Sequence, residues 1–485
     1  MNIAAPRNAL WSGLGLVAPL GARVCGGAPQ GGALGISIDT RTLQENDLFF
    51  AIRGVESDGH DYVAAAFAKG AFAAVIDEEH AGQLAGAGPL FVVRDVLLAL
   101  ERLGIAARGR TRARIAAVTG SVGKTSTKEA LRLVLAEAGA VHASVASYNN
   151  HWGVPLTLAR MPRETSFGVF EIGMNHPGEI EPLTAMVRPH VAIVTTVAPV
   201  HLENFAGVED IADAKGEIFS GLVPGGVAIV HRDIVHYERL RAHAKNSPAG
   251  HVASFGAHER ADARLIGVTL AADHSVVEAE ICGRRLTYPL GAPGRHLALN
   301  SLAVLLAARA FGVDLESAAA SLAGFKPQPG RGERLTLEAA DGPYTLLDES
   351  YNANSESMRA AFALAGALPV REGGRRVAVL GDMLELGPAA PAMHADLAAD
   401  LAANGIDLVF AAGPLMKHLF DALPAALRGA WRERAFDLEP DLREAVRAGD
   451  IVVVKGSNGS RMSALVGALK EFSNSAMAAD AGRKT

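Results

Sequence analysis

The chain has 485 residues, which is too many for one compact core and corresponds to about three domains of ordinary size. Hydrophobic residues make up 49 % and charged residues 20 %, a balance typical of a globular enzyme. A formal net charge of -6 and an aromatic content of 5 % argue against a nucleic-acid partner. No apolar run reaches the roughly 20 residues that span a bilayer, so we expect no membrane insertion.

The cysteines and an apolar stretch near the N-terminus bear on the cellular compartment of the protein. Cys25 and Cys282 form neither a C-x-x-C pair nor a zinc-binding spacing with histidine, so we interpret both as buried residues in a reducing compartment. The apolar stretch 9–20 contains two glycines and Pro19, which favours a first helix of the N-terminal domain over a secretory signal peptide. These features predict a cytoplasmic protein, which we expect to be a monomer.

The N-terminal residues 1–94 predict a small mixed α/β domain. Short apolar runs at 36–38 and 48–52 alternate with polar turns, and an alanine-rich helix follows at about 62–69. A further helix, predicted over 96–107, leads into the next domain.

The central residues 95–327 predict a second domain built on a mostly parallel sheet. Its predicted strands are 115–118, 167–172, 191–197 and 227–230. These strands are continuously apolar, which is typical of strands that are buried on both faces and covered by helices. The ligand crevice of such a sheet lies beyond the carboxyl ends of its strands.

The C-terminal residues 328–485 predict a Rossmann-like α/β domain, which makes the fold class α/β in three domains. Its predicted strands are 345–347, 377–380, 408–411 and 451–454. Met358, Phe362 and Ala365 recur at the spacing of an amphipathic helix. The tail from about Ser473 is rich in alanine, serine and glycine, and its composition predicts disorder.

A glycine-rich loop follows the first predicted strand of the central domain and predicts ATP binding. In such a loop between a strand and a helix, backbone N–H groups converge on phosphate oxygens. We expect Lys124 to reach the β- and γ-phosphates and the Thr125 hydroxyl to bind Mg²⁺. The longer form of this loop would need glycine at position 118, where this chain has valine. The predicted phosphate-binding residues are Gly120, Ser121, Val122, Gly123, Lys124, Thr125 and Ser126.

Further metal ligands are expected at the ends of neighbouring strands. Glu171 ends an apolar strand, where a buried charge is costly unless it meets a cation. His201 follows the next strand, although a loop histidine taken alone is more often an ordinary surface or core residue. Lys215 would ordinarily be a solvated helix lysine. The residue pattern by itself therefore leaves the roles of His201 and Lys215 open.

Taken together, the loop and the segments 147–155, 171–180 and 348–358 resemble the Mur ligase family, and the resemblance runs through nearly the whole chain. It implies an ATP-dependent ligase of cell-wall precursor synthesis that works through an acyl phosphate and forms ADP and phosphate. The last two segments are most similar to the family's ligase that joins D-alanyl-D-alanine to UDP-N-acetylmuramoyl-tripeptide. These two compounds are the implied substrates, and residues 1–94 are the implied UDP-sugar domain.

The resemblance also implies the roles of individual residues. Lys215 matches a position that is carbamylated in related ligases, where it would bind a second Mg²⁺ together with His201. The implied catalytic residues are Lys124, Glu171, His201 and Lys215, and the implied metal ligands are Thr125, Glu171, His201 and Lys215. The further nucleotide contacts are Asn300, Arg331 and Asp348. The implied substrate contacts are Ser37, Asp39, Thr40, Arg41, Phe49, Asn149, Asn150, Asn175, His176, Tyr351, Asn352 and Lys455.

Three other functions stay open at this point. A ligase of the preceding step, which adds a single amino acid, and a polyglutamate-type ligase acting on folate would both use the same loop. The D-N-P-R motif typical of many ligases that add diaminopimelate is absent from the sequence. A nucleotide switch would also bind ATP or GTP, but the N-K-x-D motif that reads guanine is absent as well. The third residue of the tripeptide, diaminopimelate or lysine, is left undecided.

Overall fold

The computed structural model describes residues 9–27, 29–145 and 147–483, with side chains as far as Asn474. It contains a five-stranded, a nine-stranded and a six-stranded sheet, which follow one another along the chain. Within these described residues, no helix combines the length and apolar character needed to cross a membrane. Cys25 is half-buried and Cys282 is exposed, so the prediction of two buried cysteines is wrong.

The N-terminal sheet is a short mixed sheet covered by one long helix. The strands of this part of the chain are β1 (Trp11–Ser12), β2 (Arg23–Cys25), β3 (Gly32–Ala33), β4 (Gly35–Ser37), β5 (Asp47–Phe50), β6 (Ala73–Asp77) and β7 (Leu90–Val93), and the helices are α1 (Val17–Leu20), α2 (Val63–Ala68) and α3 (Val96–Arg110). The five-stranded sheet consists of β2, β4, β5, β6 and β7. Strands β4, β5, β6 and β7 are parallel, β2 joins β7 antiparallel, and β1 pairs with β3 alone. The helix predicted over 9–20 is present only in its second part, as a 3-10 helix at Leu14–Leu16 followed by α1, because β1 pairs with β3 at Trp11–Ser12. Helix α1 ends at Gly21, which has a left-handed conformation.

The central sheet is parallel over seven strands and antiparallel at one end. Its strands are β8 (Arg114–Thr119), β9 (Val141–Ala143), β10 (Phe167–Glu171), β11 (Val191–Val194), β12 (Val227–His231), β13 (His251–Gly256), β14 (Ala263–Leu270), β15 (Ser275–Ile281) and β16 (Arg284–Leu290). The helices are α4 (Lys124–Ala136), α5 (Gly153–Ala159), α6 (Ile180–Val187), α7 (Val208–Gly216), α8 (Tyr237–Lys245), α9 (Arg295–Ala310) and α10 (Leu315–Ser321).

The strand order of this sheet is β16-β15-β14-β13-β12-β11-β8-β10-β9. The predicted mostly parallel sheet is confirmed, since every pair from β9 to β14 is parallel. The antiparallel strands β14, β15 and β16 were not predicted, because they alternate buried and exposed residues instead of forming continuous apolar runs.

Strand β8 lies in the middle of this sheet and is buried on both faces. Ala116 and Val118 pack in the core cluster that contains α4 and α9, whereas Ile115 and Ala117 pack in the cluster that contains α6 and α7. Because its neighbours β10 and β11 run parallel to it, the residues that follow these three strands meet at one edge of the sheet.

The C-terminal sheet is parallel except for its first strand. Its strands are β17 (Glu333–Ala339), β18 (Gly342–Glu349), β19 (Arg376–Gly381), β20 (Leu408–Ala412), β21 (Arg428–Arg432) and β22 (Ile451–Lys455), and the helices are α11 (Ser355–Ala367), α12 (Ala390–Ala403), α13 (Met416–Ala422), α14 (Glu439–Ala445) and α15 (Met462–Arg483). The order is β17-β18-β22-β19-β20-β21, and β17 is antiparallel to β18.

The predicted disorder from Ser473 onward is wrong, because α15 continues to Arg483. Ser473 is 2 % exposed, and its hydroxyl accepts a hydrogen bond of 2.9 Å from the backbone N–H of Glu338 in β17. Packing against the sheet therefore orders a segment whose composition alone does not favour a helix.

A core substitution tests the packing of α4, the helix that begins at the glycine-rich loop. Leu131 is fully buried among residues of β8, β10 and α9, so Leu131→Ala should lower the free energy of unfolding by roughly 2–5 kcal/mol. Leu98→Ala, on a side chain that is 43 % exposed, should change it by about 0.5 kcal/mol or less. Differential scanning calorimetry of the two variants would show equal transition temperatures if the described packing of α4 were incorrect.

Candidate active site

The glycine-rich loop connects the end of β8 to the start of α4. Gly120 and Gly123 have φ angles of +149° and +85°, which side-chain-bearing residues rarely adopt. A Cβ atom on Gly123 would lie 2.5 Å from Asn300 Nδ2, and one on Gly120 would collide with the Thr195 hydroxyl. Close neighbours as well as backbone conformation therefore require glycine at both positions.

The segment that follows β11 holds this loop in place. The Thr195 hydroxyl donates a hydrogen bond of 2.5 Å to the carbonyl of Val122, and the N–H of Ser121 donates one of 2.9 Å to Thr196. The Ser121 hydroxyl donates to the carbonyl of Ala198 at 3.0 Å and accepts from its N–H at 2.9 Å. The loop is thus fixed before any ligand binds, as a phosphate cradle requires.

Lys124 is the first residue of α4, and its side chain folds back over the loop. Its Nζ donates a hydrogen bond of 2.6 Å to the carbonyl of Gly120. Burial lowers the pKa of Lys124 and nearby Arg331 lowers it further, although Glu171 acts in the opposite direction. A bound phosphate anion would raise the pKa of Lys124 again, because it favours the charged ammonium.

Glu171, at the end of β10, forms a buried group with two residues from other elements. The Thr125 hydroxyl of α4 donates a hydrogen bond of 2.8 Å to Glu171 Oε2, and Asn149 Nδ2 donates one of 2.7 Å to Oε1. The Glu171 residue is 1 % exposed and Thr125 is 3 % exposed. The structure therefore brings together three oxygen-bearing side chains of the kind that bind Mg²⁺.

Lys215 lies on α7 and is buried beside the same strand end. Its Nζ lies 3.5 Å from the sulfur of Met174, which follows β10, and the residue is 2 % exposed. Among the side chains described, no carboxylate forms an ion pair with Lys215. Burial, together with the charge of Lys124, holds the pKa of Lys215 well below its ordinary value. The sequence could not show this burial, which favours the neutral amine.

His201 contacts a residue that the sequence interpretation missed. His201 Nδ1 lies 2.5 Å from Oε2 of Glu385, which is in the C-terminal domain. The His201 imidazole holds the pKa of Glu385 below its ordinary value. Glu385 follows the predicted strand 377–380 in a polar loop, and this position at a strand's carboxyl end is the signal that could have identified it.

Two predicted nucleotide contacts lie beside the loop, and the third, Asp348, lies in β18, where its carbonyl accepts a hydrogen bond of 2.9 Å from the N–H of Gly332. The amide of Asn300 is close to Gly123, and Arg331 Nη2 donates a hydrogen bond of 2.7 Å to the Ser147 hydroxyl. Asp348 accepts hydrogen bonds of 2.5 Å and 3.1 Å from the hydroxyl and N–H of Ser350. Asp348 is 4 % exposed, and these hydrogen bonds stabilise the turn that follows β18.

The other predicted residues of the C-terminal domain form a group at the ends of β18 and β22. Lys455 Nζ lies 3.3 Å from Glu349 Oε2 and donates a hydrogen bond of 3.0 Å to the carbonyl of Asn352. Tyr351 is 36 % exposed, and the guanidinium of Arg331 lies 3.8 Å from its ring centroid.

Three predicted substrate contacts lie in the turns at the start of helices. The N–H of Asn175 donates a hydrogen bond of 2.8 Å to Glu179 Oε2, and His176 Nδ1 lies 2.9 Å from Oε1 of the same carboxylate. Asn150 Oδ1 accepts a hydrogen bond of 2.9 Å from the N–H of Gly153, where α5 begins. The side chain of His176 is exposed and accessible to a ligand.

In the N-terminal domain, four of the five predicted residues form one turn after β4. The Ser37 hydroxyl donates a hydrogen bond of 2.9 Å to the carbonyl of Asp39, and the Asp39 carboxylate pairs with Arg41 at 2.6 Å, with Thr40 between them. Phe49, by contrast, is 1 % exposed and packs in the hydrophobic core. Its side chain contributes to the domain's stability and does not line a surface.

A second group of metal-binding residue types, Asp58, His60 and His80, lies in the N-terminal domain. His60 Nε2 accepts a hydrogen bond of 3.1 Å from the N–H of Asp77, so its proton is on Nδ1, 2.5 Å from Asp58 Oδ1. The rings of His60 and His80 stack at 3.9 Å. Both nitrogens of His60 are already used, which is typical of a structural hydrogen-bond network.

Comparison with known proteins relates the whole chain to one family. The models that match are the Mur ligase family catalytic domain over residues 34–109, the Mur ligase middle domain over 118–308 and the Mur ligase glutamate ligase domain over 330–458. The UDP-N-acetylmuramoyl-tripeptide--D-alanyl-D-alanine ligase of Escherichia coli K12 is 34 % identical over 436 residues, which are 90 % of this chain and 93 % of that enzyme.

Two solved structures share the arrangement of the three sheets. MurF from Acinetobacter baumannii superimposes with a TM-score of 0.83 at 29 % identity, covering 95 % of this chain and 99 % of that one. MurF ligase from Thermotoga maritima in complex with ADP superimposes with a TM-score of 0.74 at 25 % identity, covering 90 % and 97 %. Both similarities extend over all three sheets.

A glycine substitution tests whether the loop binds nucleotide. In Gly123→Ala the new methyl group would press on Asn300 and strain the backbone, so we expect ATP affinity to fall by roughly tenfold or more. Gly225→Ala is the matched control, since Gly225 has a φ of +80° but no atom within 4 Å of its added Cβ. Isothermal titration calorimetry with ATP would count against this site if both variants bound nucleotide as the wild type does.

Proposed function

Because this chain belongs to the Mur ligase family, we propose that it joins D-alanyl-D-alanine to UDP-N-acetylmuramoyl-tripeptide and converts ATP to ADP and phosphate. The observation that carries the choice of substrates is the 34 % identity, over 90 % of the chain, to a ligase named for them. The phosphate loop and the acidic group behind it support the use of ATP. These substrates place the reaction in the cytoplasm, where we expect the protein to act as a monomer.

The contact between Thr125 and Glu171 supports one magnesium site, and we propose a second site at His201 and Lys215. Thr125 and Glu171 would hold the first ion, since the oxygens of both side chains lie together beneath the loop. His201 and a carbamylated Lys215 would hold the second. The neutral amine of Lys215 would form a bond to the carbon of CO₂ and release a proton, which replaces a buried base with an anion. Magnesium would supply positive charge between the carboxylate and phosphate groups that must meet.

In the reaction we propose, the terminal carboxylate of the tripeptide attacks the γ-phosphorus of ATP, which forms an acyl phosphate and releases ADP. The amine of D-alanyl-D-alanine then attacks the acyl carbon, phosphate leaves, and the amide nitrogen loses a proton. The loop N–H groups and Lys124 would orient the phosphates and offset their charge. Arg331, which reaches Ser147 from the C-terminal domain, would help to exclude water from the acyl phosphate.

The two outer domains would bind the two other substrates. The turn of Ser37, Asp39, Thr40 and Arg41 offers an exposed guanidinium, with the Arg41 side chain 88 % exposed, for the anionic UDP moiety. The group of Tyr351, Asn352 and Lys455, at the ends of β18 and β22, would contact the peptide substrates. Asn149, Asn150, Asn175 and His176 complete the proposed substrate contacts on the central domain.

The proposed function predicts that phosphate release requires both peptide substrates. With ATP and Mg²⁺, the purified protein should release phosphate only when UDP-N-acetylmuramoyl-tripeptide and D-alanyl-D-alanine are both present, because no acceptor for the acyl phosphate exists otherwise. Assays with the diaminopimelate and the lysine tripeptides would show which one is preferred. Faster turnover with UDP-N-acetylmuramoyl-dipeptide and a single amino acid, or with folate and glutamate, would favour the other ligases. ATP binding without any turnover would favour a nucleotide switch.

The carbamate predicts a loss of activity when Lys215 is replaced. Lys215→Ala should lower the rate of phosphate release by roughly 100-fold or more, because it removes a ligand of the magnesium ion whose charge would offset repulsion during phosphoryl transfer. Lys245→Ala, an exposed lysine at the end of α8, is the control and should retain wild-type activity. Removal of CO₂ and bicarbonate should slow the wild type and Lys245→Ala, but it should not slow Lys215→Ala further. Full activity in Lys215→Ala would exclude a catalytic carbamate.

A further inference from the structure

We propose that Glu385, which the C-terminal domain supplies, is a positioning residue for His201 in the central domain. The proposal rests on the proposed function, in which His201 binds a divalent cation. Glu385 Oε2 lies 2.5 Å from His201 Nδ1, and the two side chains are 49 % and 23 % exposed. A carboxylate in contact with the Nδ1 side of the ring holds the imidazole in one orientation and leaves Nε2 free for a metal ion.

The backbone at both residues has an unusual conformation. His201 has a φ of +54° and Glu385 a φ of +63°, in the left-handed region that residues other than glycine rarely occupy. Such conformations persist only where the surrounding structure imposes them, and they are concentrated at functional sites. An exposed ion pair contributes little to stability, so the contact alone would not account for two such conformations.

The loop that carries Glu385 is fixed to the C-terminal sheet. The N–H of Met383 donates a hydrogen bond of 3.0 Å to Nε2 of His394, which is fully buried. The N–H of Leu384 donates one of 3.0 Å to the Ser457 hydroxyl, and the N–H of Ser457 donates one of 3.0 Å to the carbonyl of Asp382. Glu385 is therefore presented by a rigid loop, and its position follows that of the whole domain.

This arrangement makes the orientation of His201 depend on the docking of the C-terminal domain. Arg331 crosses the same interface to Ser147, so two side chains of that domain reach the central domain near the phosphate loop. When the domain is docked, Glu385 orients the imidazole toward the site that binds the cation. When it is displaced, the ring is free to rotate, and cation binding at His201 weakens. Docking of the C-terminal domain therefore also completes the metal site.

Manganese binding tests the proposal without relying on turnover. Mn²⁺ is titrated into the full-length protein with a non-hydrolysable ATP analogue, and free Mn²⁺ is measured by electron paramagnetic resonance. Glu385→Ala should weaken the binding of the His201-dependent ion by roughly 10- to 100-fold, as loss of an orienting carboxylate does. Glu385→Gln, which keeps a polar side chain of the same length beside Nδ1, should weaken it less. Glu372→Ala, an exposed carboxylate of the same domain, should have no effect.

A double-mutant cycle separates positioning from a structural role. His201→Ala should lose the same ion, and adding Glu385→Ala to it should cause no further loss, because the two residues act through one ring. Additive losses, or Mn²⁺ affinity in Glu385→Ala within twofold of the wild type, would overturn the proposal. If the alanine variant fails to fold, a loss in the glutamine variant supports the proposal and unchanged affinity contradicts it. Failure of the wild type to use the proposed peptide substrates would refute the proposed function but leave this titration unaffected.

Discussion

The buried carboxylate of Glu171 is the constraint on which the arrangement of this site depends. A charged group at the end of an apolar strand is tolerated only if it is fully hydrogen-bonded or meets a cation. Here the Thr125 hydroxyl and the Asn149 amide bind its two oxygens, so β10, α4 and the loop before α5 are joined at one point. The same contact sets the first turn of α4 against the strand edge, and thereby fixes the direction in which the phosphate loop opens.

Around this point the protein places two lysine amines whose charged forms are disfavoured by burial. Lys124 and Lys215 are both depressed in pKa, chiefly by burial, and Lys124 contributes to the shift at Lys215. Such an environment stabilises incoming anions, because each phosphate or carboxylate relieves repulsion that the folded protein already contains. The outer domains complete the site from a distance. Arg331 and Glu385 reach it only because the six-stranded sheet is docked against the nine-stranded one.

Local patterns predicted the most continuously apolar strands of the central and C-terminal sheets, but not the parallel strands β9 and β13. Continuous apolar runs identified β8, β10, β11 and β12, and the glycine-rich loop indicated where phosphate would bind. Strands β14, β15 and β16 were not predicted, because buried and exposed residues alternate along them and the exposed ones resemble loop sequence. The order of α15 was also missed, because its stability comes from contact with β17 and not from its own composition. The domain limits at 94 and 327 stay predictions.

For the site, the sequence by itself determined the phosphate loop and Glu171, because a strand, a glycine turn and a charged strand end are each encoded by adjacent residues. It also indicated His201 as a candidate by its position after a strand, whereas Lys215 was indicated only through resemblance to a family. Only the tertiary structure decided that Lys215 is buried without a carboxylate partner among the described residues, that Phe49 belongs to the core, and that Glu385 meets His201. The physical reason is sequence separation: burial and contacts between domains depend on residues far apart in the chain, and no local pattern records which of them meet.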